Sequence, residues 1–212
     1  MRKFILLGLL LFSFAVYSQT TKTKNAVVIA DSILKSHVGD RLFKYFGVSE
    51  GSYYSYEDRR GKQRTGKFLG RKRLPKSFLT LNFLYHFNYP EIEGVRGGLW
   101  LIVDKGFKLI DTLNFEFIPK FIIENKPSDF ISVDSAWAIV KSNSKPNGYK
   151  TSIPRLIYDE KLKQYIYTAS HELTVVLNDA GKDIGEFEVI EINATTGNLI
   201  SISKGYKGIE IR

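Results

Sequence analysis

The sequence predicts an α+β protein in which a helix covers one face of an antiparallel sheet. Three observations support this class. Apolar residues recur at helical spacing in two separate segments, strand-like runs rich in aromatic and β-branched residues follow each segment, and each half ends in a hairpin pattern. The clearest hairpin pattern is Glu188–Ile202, whose central turn carries Asn193 and Gly197. A weaker version lies at Leu99–Asp111.

The N-terminus has the three parts of a secretory signal peptide. A basic start, Arg2 and Lys3, precedes an apolar run of 13 residues (Phe4–Val16) and then small or polar residues. That run is shorter than the ~20 residues that a membrane-spanning helix needs. We therefore expect a signal peptide at residues 1–18, cleavage after Ser18, export to the periplasm or the exterior, and no transmembrane segment after cleavage. The alternative is an uncleaved N-terminal anchor.

Length and composition describe an ordinary globular protein without disulfides. The chain contains no cysteine, which excludes thiol catalysis and zinc sites with cysteine ligands. The 194 residues that remain of 212 after cleavage can bury a core without disulfides. This length suits one large domain or two small ones. We place the first unit at 19–127 and the second at 128–212.

Most of the net positive charge lies in one segment. The formal net charge of the sequence is +9, and removing Arg2 and Lys3 with the signal peptide lowers it to +7. Residues 57–76 alone carry +7, so the rest of the exported chain is neutral. The basic residues of this segment are Arg59, Arg60, Lys62, Arg64, Lys67, Arg71, Lys72, Arg73 and Lys76. Glycines spaced through it predict a long loop or an exposed hairpin.

The first half is predicted to begin with a helix. Asn25–His37 has apolar residues at helical spacing, and Gly39 is a stop signal just beyond its end. The predicted apolar stripe consists of Val27, Ala30, Ile33 and Leu34. Residues 40–46 continue as a second short helix or as the entry to a strand.

Strands are predicted to follow this helix. Tyr53–Tyr56 and Leu79–Phe87 are rich in aromatic residues, which favours strands. Leu99–Val103 and Lys108–Leu113 are predicted to form the first hairpin. The aromatic residues of the two earlier strands either line a ligand groove or divide between the two faces of a sheet. They are Tyr53, Tyr54, Tyr56, Phe83, Tyr85 and Phe87.

The pattern restarts in the second half. Ser132 is a candidate helix N-cap, because its hydroxyl can accept a bond from a free backbone N–H. The predicted helical stripe consists of Val133, Ala136, Trp137 and Val140. Ile153–Tyr158 and Gln164–Thr174 are predicted strands, with Tyr165 and Tyr167 on one face of the second strand and Ile166 on the other. The two halves are either a diverged duplication or two unrelated segments of similar pattern.

Three features occur in this order in the second half: the helix Ile131–Val140, strands around Leu156–Asp159 and Tyr165–Thr168, and the ending Val189–Ile200. Together they resemble the PepSY and PepSY-like domains of exported bacterial proteins, over residues 129–204. In that family the ending is typically an apolar strand, Asp-Ala, two variable residues, Gly and an apolar return strand.

The ending departs from the family pattern at one position. Asn193 stands where Asp is commoner, and Asn suits the same turn because its short side chain bonds nearby backbone. The resemblance implies a non-enzymatic module with a PepSY or cystatin-like fold, for which a role in restraining peptidases has been proposed. It implies one such unit at 128–212, or two diverged units in tandem. The basic segment is not a family feature.

Two short motifs fail as catalytic or metal sites. Gly61–Lys67 fits the start of a phosphate-binding P-loop, but Phe68 stands where Ser or Thr must ligate Mg²⁺. His171 begins a zinc-peptidase pattern whose second histidine is replaced by Val175. The sequence therefore predicts no catalytic residue, no cofactor and no metal site.

The basic segment has two interpretations. Clustered cations attract phosphates or carboxylates, so the segment is either an anion-binding site or a solvated loop that aids solubility. Nucleic acid is disfavoured, because Phe68 is the only aromatic residue within the cluster. The leading expectation is a non-enzymatic protein that binds a protein partner, with peptidases as the class implied by the resemblance. The alternative is an envelope anion binder acting on lipopolysaccharide phosphate or acidic glycan through Arg59–Lys76.

Overall fold

The computed structural model describes residues 22–178 and 181–208, and the predicted signal peptide at residues 1–18 lies outside the described residues. The chain is an α+β protein with two antiparallel sheets and few helices, which confirms the α+β class. Strand residues make up 39% of the described residues and helical residues 19%, so the sheets contribute most of the regular structure. No helix in the described ranges is long and apolar enough to cross a membrane.

The chain divides into two compact units. The first contains the described residues up to His86 together with Gly98–Leu113. The second contains Phe87–Gly97 together with the described residues from Asn114 onward. The tip of one hairpin, residues 87–97, thus belongs to the second unit while its strands lie mostly in the first. The domain boundary near residue 128 stays a prediction.

The first unit combines one long helix with a five-stranded sheet. Helix α1 spans Thr23–Phe43, and the strands are β1 (Phe46–Val48), β2 (Tyr53–Glu57), β3 (Gln63–Lys67), β4 (Phe78–Asn88) and β5 (Arg96–Val103). The long strand β4 pairs with β1, β2 and β5. Strand β3 pairs with β2 and forms an outer edge of the sheet.

Helix α1 buries a narrow stripe of small and apolar residues. The residues of this stripe that are at most 1% exposed are Ala26, Ala30 and Leu34. Their spacing of four residues puts them on one helix face. The predicted stripe differs in part, since Val27 and Ile33 are only half-buried. Gly39, at a φ of 75°, interrupts the helix where a stop was predicted, and residues 40–43 form the short helical continuation.

Strand β4 supplies much of the core of the first unit. Leu81, Phe83 and Tyr85 are at most 1% exposed, and their alternate spacing places them on one face of the sheet. The Tyr85 hydroxyl donates to Asp31 Oδ1 of α1 at 2.7 Å, so this face is the one that the helix covers. Burial, and then the neighbouring Asp31 carboxylate, raise the pKa of Tyr85 above its ordinary range.

The return strand predicted at Lys108–Leu113 does not form, so that part of the first hairpin prediction was wrong. After the turn, Leu109 makes an isolated bridge to Val103, and the Ile110 N–H donates to the Ile102 carbonyl at 2.9 Å. The ladder then ends at Asp111, a residue type that is depleted in strands.

The second unit contains two helices and a six-stranded sheet. Its elements are α2 (Lys120–Ile123), α3 (Val133–Asn143), β6 (Lys150–Thr151), β7 (Arg155–Asp159), β8 (Gln164–Glu172), β9 (Val176–Leu177), β10 (Asp183–Asn193) and β11 (Leu199–Lys207). Strand β8 pairs with β6 and β7 on one side and with β10 on the other. Strand β11 pairs with β10 and forms the outer edge.

Helix α3 begins with the predicted cap. The Ser132 hydroxyl accepts a bond from the Ser135 N–H at 3.1 Å, which satisfies one free donor of the first turn. Ala136 and Val140 are fully buried, and α3 contacts β10. Val133 is 46% exposed, however, because the helix turns its first residue toward water. The predicted stripe was therefore wrong at its N-terminal end.

Candidate functional site

The basic segment, Arg59–Lys76, is an ordered hairpin and loop. Strands β2 and β3 pair at five successive positions. The loop after β3 is anchored by Phe68 and Leu74, which are 0% and 4% exposed. Phe68 also packs against Phe83 of β4, with ring centroids 5.2 Å apart. The backbone that carries the basic residues is thus paired with β2 and anchored in the core of the first unit.

Asp58 organises the turn that presents the first cations of this segment. Its Oδ1 accepts bonds from the backbone N–H groups of Arg60 and Lys62 at 2.9 and 3.0 Å. Its Oδ2 accepts a bond from Arg64 Nε at 3.2 Å. The backbone bonds from Lys62 and Arg60, assisted by the Arg64 guanidinium, lower the pKa of Asp58. The carboxylate therefore serves to build the turn.

All nine basic side chains of the segment are exposed. In the part of the chain that the structure describes, Arg64 is the one among them within ion-pair distance of a carboxylate. Arg71 lies over the Tyr54 ring, with its guanidinium carbon 5.7 Å from the ring centroid. The former P-loop candidate, Gly61–Lys67, is a turn and an antiparallel strand, whereas a P-loop joins a strand to a helix.

The start of α1 enlarges this basic surface. The Thr23 N–H donates to the Lys72 carbonyl at 3.4 Å, and Lys22 forms a β-bridge with Arg73. Lys22 and Lys24 are exposed, so they add two cations beside the loop. Sequence reasoning missed them because they lie far from the basic segment along the chain.

The face of the first sheet that points away from α1, called here the open face, carries an aromatic pair. The rings of Tyr53 and Trp100 meet in a T-shaped arrangement with centroids 5.4 Å apart. Asn82 of β4 is opposite Tyr53 in register and is 5% exposed, so the rings meet beside a short, buried side chain. Trp100 itself is 43% exposed.

Polar side chains lie beside this pair. The Ser55 and Thr80 hydroxyls are hydrogen-bonded to each other at 2.6 Å. Asn82 Nδ2 donates to the Thr80 hydroxyl at 3.0 Å. Lys67 is opposite Tyr53 in the β2–β3 pair, so the two side chains share the open face. Aromatic rings and a cation therefore share the open face with polar groups, of which Ser55 and Asn82 are buried.

The aromatic residues named from sequence divide between the two faces. Buried ones are Tyr54, Phe83, Tyr85 and Phe87, whereas Tyr53 and Tyr56 are half-buried. Trp100 was missed as a site residue. Its signal was the alternation in β5, where the buried Leu99 and Leu101 flank the exposed Trp100.

The turn that holds Asn193 and Gly197 joins β10 to β11. Asn193 Oδ1 accepts bonds from the N–H groups of Thr195 and Thr196 at 2.9 and 2.8 Å. Gly197 has a φ of 73°, a conformation that disfavours other residues, and its N–H donates to the Asn193 carbonyl at 2.9 Å. Both residues thus stabilise the backbone conformation of the turn.

A polar cluster is buried on the second sheet. Glu188 and His171 are each 3% exposed and lie opposite one another on β10 and β8. Lys145 Nζ lies 2.7 Å from Glu188 Oε1. His171 Nε2 donates to the Lys145 carbonyl at 3.1 Å, and its Nδ1 is 2.8 Å from the Thr151 hydroxyl. Because both ring nitrogens are engaged, His171 ties the loop before β6 to the sheet.

A cavity of about 320 Å³ opens in the second unit. Acidic side chains dominate its charged lining, with Glu172, Asp183 and Glu186 against Lys207. Lys207 Nζ lies 3.6 Å from Glu172 Oε1. This lining favours a cationic group, which is the opposite of what the basic segment attracts. Within the described ranges, no group of three or more His, Asp or Glu side chains is arranged to hold a metal ion.

The fold and these surfaces define a two-unit α+β protein with an ordered basic surface and an open sheet face. No protein-family model matches the chain, and neither a curated protein nor a solved structure matches it. The functional interpretation therefore rests on the sequence and structure of the chain itself.

Proposed function

We propose that this protein is a secreted or periplasmic, non-enzymatic binding protein of the bacterial envelope. It consists of two diverged PepSY-like or cystatin-like units and contacts a protein partner through its sheets. A peptidase is the class of partner that the PepSY resemblance implies. The observation that carries the proposal is the recurrence of one architecture in both units.

The order and pairing of the elements support this recurrence. In each unit a helix precedes the sheet, and the central strand is β4 in one and β8 in the other. Each central strand pairs with two shorter strands that precede it and with one long strand that follows it. The strand that follows, β5 or β10, leads into a turn in both units.

The two turns are also alike. Asp104 Oδ1 accepts two backbone N–H bonds at 2.8 and 2.9 Å, as Asn193 Oδ1 does at 2.9 and 2.8 Å. A residue with positive φ closes each turn, Phe107 at 60° and Gly197 at 73°. In both units Leu-Ile follows that residue after one intervening position. This correspondence supports a common origin of the two units.

Capture and inhibition test the protein-binding proposal. Tagged protein lacking residues 1–18 is expected to retain a peptidase from bacterial envelope fractions and to slow their peptidase activity in proportion to the amount added. Because the sheets make the contact, the combined variant Arg71→Gln, Lys72→Gln and Arg73→Gln should retain the same peptidase. Deleting the basic segment is unsuitable, since Phe68 and Leu74 belong to the core.

The proposal is wrong if no peptidase is retained and envelope peptidase activity is unchanged. Loss of the captured protein on neutralising the three cations would instead assign the contact to the basic segment.

The ordered basic surface favours a second candidate function, binding of an envelope anion. Its cations are exposed on a hairpin and on a loop anchored by buried residues, and together they create a local positive potential. Lipopolysaccharide phosphate and acidic glycan are the anions that an exported protein meets. The site residues are the nine of Arg59–Lys76, joined by Lys22 and Lys24.

Salt and charge test the second candidate. Soluble polyphosphate is expected to bind at low salt and to bind more weakly at physiological ionic strength, where exposed charges are screened. The variant Arg71→Gln, Lys72→Gln and Arg73→Gln should lose about tenfold in affinity at low salt, as three exposed ion pairs together contribute about 1–2 kcal/mol. Fluorescence anisotropy of labelled polyphosphate measures both effects.

The matched control removes the same charge elsewhere. Neutralising the exposed Lys161, Lys182 and Lys204 of the second unit should leave the affinity unchanged. Equal losses in the two variants would mean that net charge, rather than this surface, determines binding. Absence of polyphosphate binding even at low salt would overturn the second candidate.

A further inference from the structure

The open face of the first sheet places an aromatic pair, the exposed Trp100 and the half-buried Tyr53, beside the basic segment. A single exposed aromatic side chain is common on protein surfaces. Here, however, Trp100 is 43% exposed while its ring contacts that of Tyr53 at a centroid distance of 5.4 Å. Covering the two rings with a ligand would remove a continuous apolar area from water, which favours binding.

A cation lies in the same row of side chains. Lys67 on β3, Tyr53 on β2 and Asn82 on β4 are opposite one another in register, and the Trp100 ring on β5 contacts the Tyr53 ring. Because neighbouring strands lie about 4.8 Å apart, the row from β3 to β5 spans about 14 Å. A ligand on this row would meet aromatic surface and positive charge together.

Neutral hydroxyl groups also lie near the rings. Ser55 and Asn82 are buried and both bond to the Thr80 hydroxyl. The hydroxyls that a ligand can reach belong to the half-buried Thr80 and to the exposed Thr65, which is opposite Ser55 in the β2–β3 pair. Hydroxyl and amide groups can both donate and accept hydrogen bonds, as sugar hydroxyls do. A bare phosphate would use the cation alone and gain nothing from the rings.

We propose that the open face binds an acidic glycan. Tyr53 and Trp100 stack on the C–H faces of its sugar rings, Lys67 contacts a carboxylate of a uronic acid unit, and the hydroxyls of Thr65 and Thr80 bond sugar hydroxyls. This proposal rests on the second candidate function, anion binding, and assigns stacking on the sugar rings to Tyr53 and Trp100, which lie outside the basic segment. The observations favour a glycan over an acidic polypeptide because threonine hydroxyls and aromatic rings lie near one another, and these groups suit the hydroxyls and C–H faces of a sugar.

A single-tryptophan variant makes the site observable. The chain has two tryptophans, and Trp137→Phe leaves Trp100 as the only reporter. Titrating this variant with an oligogalacturonate is expected to change the Trp100 emission saturably. A neutral cello-oligosaccharide of the same length should bind about tenfold more weakly, because the contribution of charge is missing.

Substitutions separate stacking from charge. Trp100→Ala and Tyr53→Ala, measured by calorimetry, should each weaken oligogalacturonate binding by about tenfold, as expected for aromatic residues at the centre of an interface. Polyphosphate binding should be unchanged in both variants. The matched control is Tyr149→Ala, a 73% exposed aromatic residue of the second unit, which should bind the glycan like the wild type. Circular dichroism verifies that each variant is folded.

The outcomes distinguish this proposal from anion binding in general. If oligogalacturonate binds but neither the Trp100 emission nor the affinity of Trp100→Ala changes, charge alone acts and the open-face proposal is overturned. If an oligoglutamate peptide of equal charge binds as tightly and changes the Trp100 emission equally, the ligand class is an acidic polypeptide and the glycan proposal fails. If polyphosphate, oligogalacturonate and oligoglutamate all fail to bind at low salt, anion binding and this proposal fail together.

Discussion

Replacing Lys145 with methionine is expected to lower the free energy of unfolding by about 2–3 kcal/mol. The substitution removes the ammonium group 2.7 Å from Glu188 while keeping a side chain of similar length, and the Glu188 side chain is 4% exposed. Breaking a buried pair costs about 3–5 kcal/mol, because the remaining charge stays buried. We expect a smaller loss because Lys145 is 51% exposed and water screens the pair. Urea unfolding followed by circular dichroism measures the change.

Partner substitutions identify the cause of that loss. Glu188→Gln leaves an amide that can still accept a bond from Lys145, so its expected cost is about 1 kcal/mol. Combining Lys145→Met with Glu188→Met should restore part of the stability lost in Lys145→Met, since no buried charge remains. The matched control is Lys204→Met, which removes the lysine opposite Glu188 on β11. Equal losses for Lys145→Met and Lys204→Met would contradict a role for the 2.7 Å pair.

Features that depend on a few neighbouring residues were predictable from the sequence. The Ser132 hydroxyl caps α3, and Gly39 breaks α1, because each acts on backbone within one helical turn. The alternation of β4 likewise follows from the two-residue period of a strand. These local signals were sufficient for the α+β class.

Features that depend on strand order were not predictable. Tyr53 and Trp100 meet because β4 lies between β2 and β5, and Lys22 meets Arg73 because α1 begins beside the basic loop. No periodicity within a single segment specifies which segments become neighbours. The concentration of charge was therefore visible in the sequence, whereas the open face and its aromatic pair were not.

Burial on both sides of a strand also limits what alternation can show. The prediction placed Tyr165 and Tyr167 on one face of β8 and Ile166 on the other. All three are buried, at 6%, 4% and 0% exposure, because β8 is a central strand whose two faces are both covered at this point. An alternating pattern assigns side chains to faces, but it does not reveal which face water reaches.

Above pH 10 the protein is expected to lose stability, with Tyr85 as a main cause. The phenol is 1% exposed, and burial together with the Asp31 carboxylate raises the pKa of Tyr85 above the ordinary value of 10. The unfolded chain therefore releases this proton at a lower pH than the folded chain does. The contribution of the protonated Tyr85 to the free energy of unfolding is complete below pH 10. It falls as the pH rises above 10, by up to ~1.4 kcal/mol per pH unit.

Tyr85→Phe tests this dependence, since phenylalanine has no proton to release. Unfolding free energies measured from about pH 9 to 11.5 should fall less steeply in the variant than in the wild type. The difference between the two slopes should be up to ~1.4 kcal/mol per pH unit. At neutral pH the variant should be about 1–2 kcal/mol less stable, because the 2.7 Å bond to Asp31 is lost.

Burial also raises the pKa of Tyr165, so part of the alkaline loss of stability should remain in Tyr85→Phe. Tyr206→Phe, at a 53% exposed position, should retain the wild-type slope. A slope in Tyr85→Phe equal to that of the wild type would mean that Tyr85 ionisation does not limit alkaline stability, and the decline would then belong to Tyr165 and the other buried phenols.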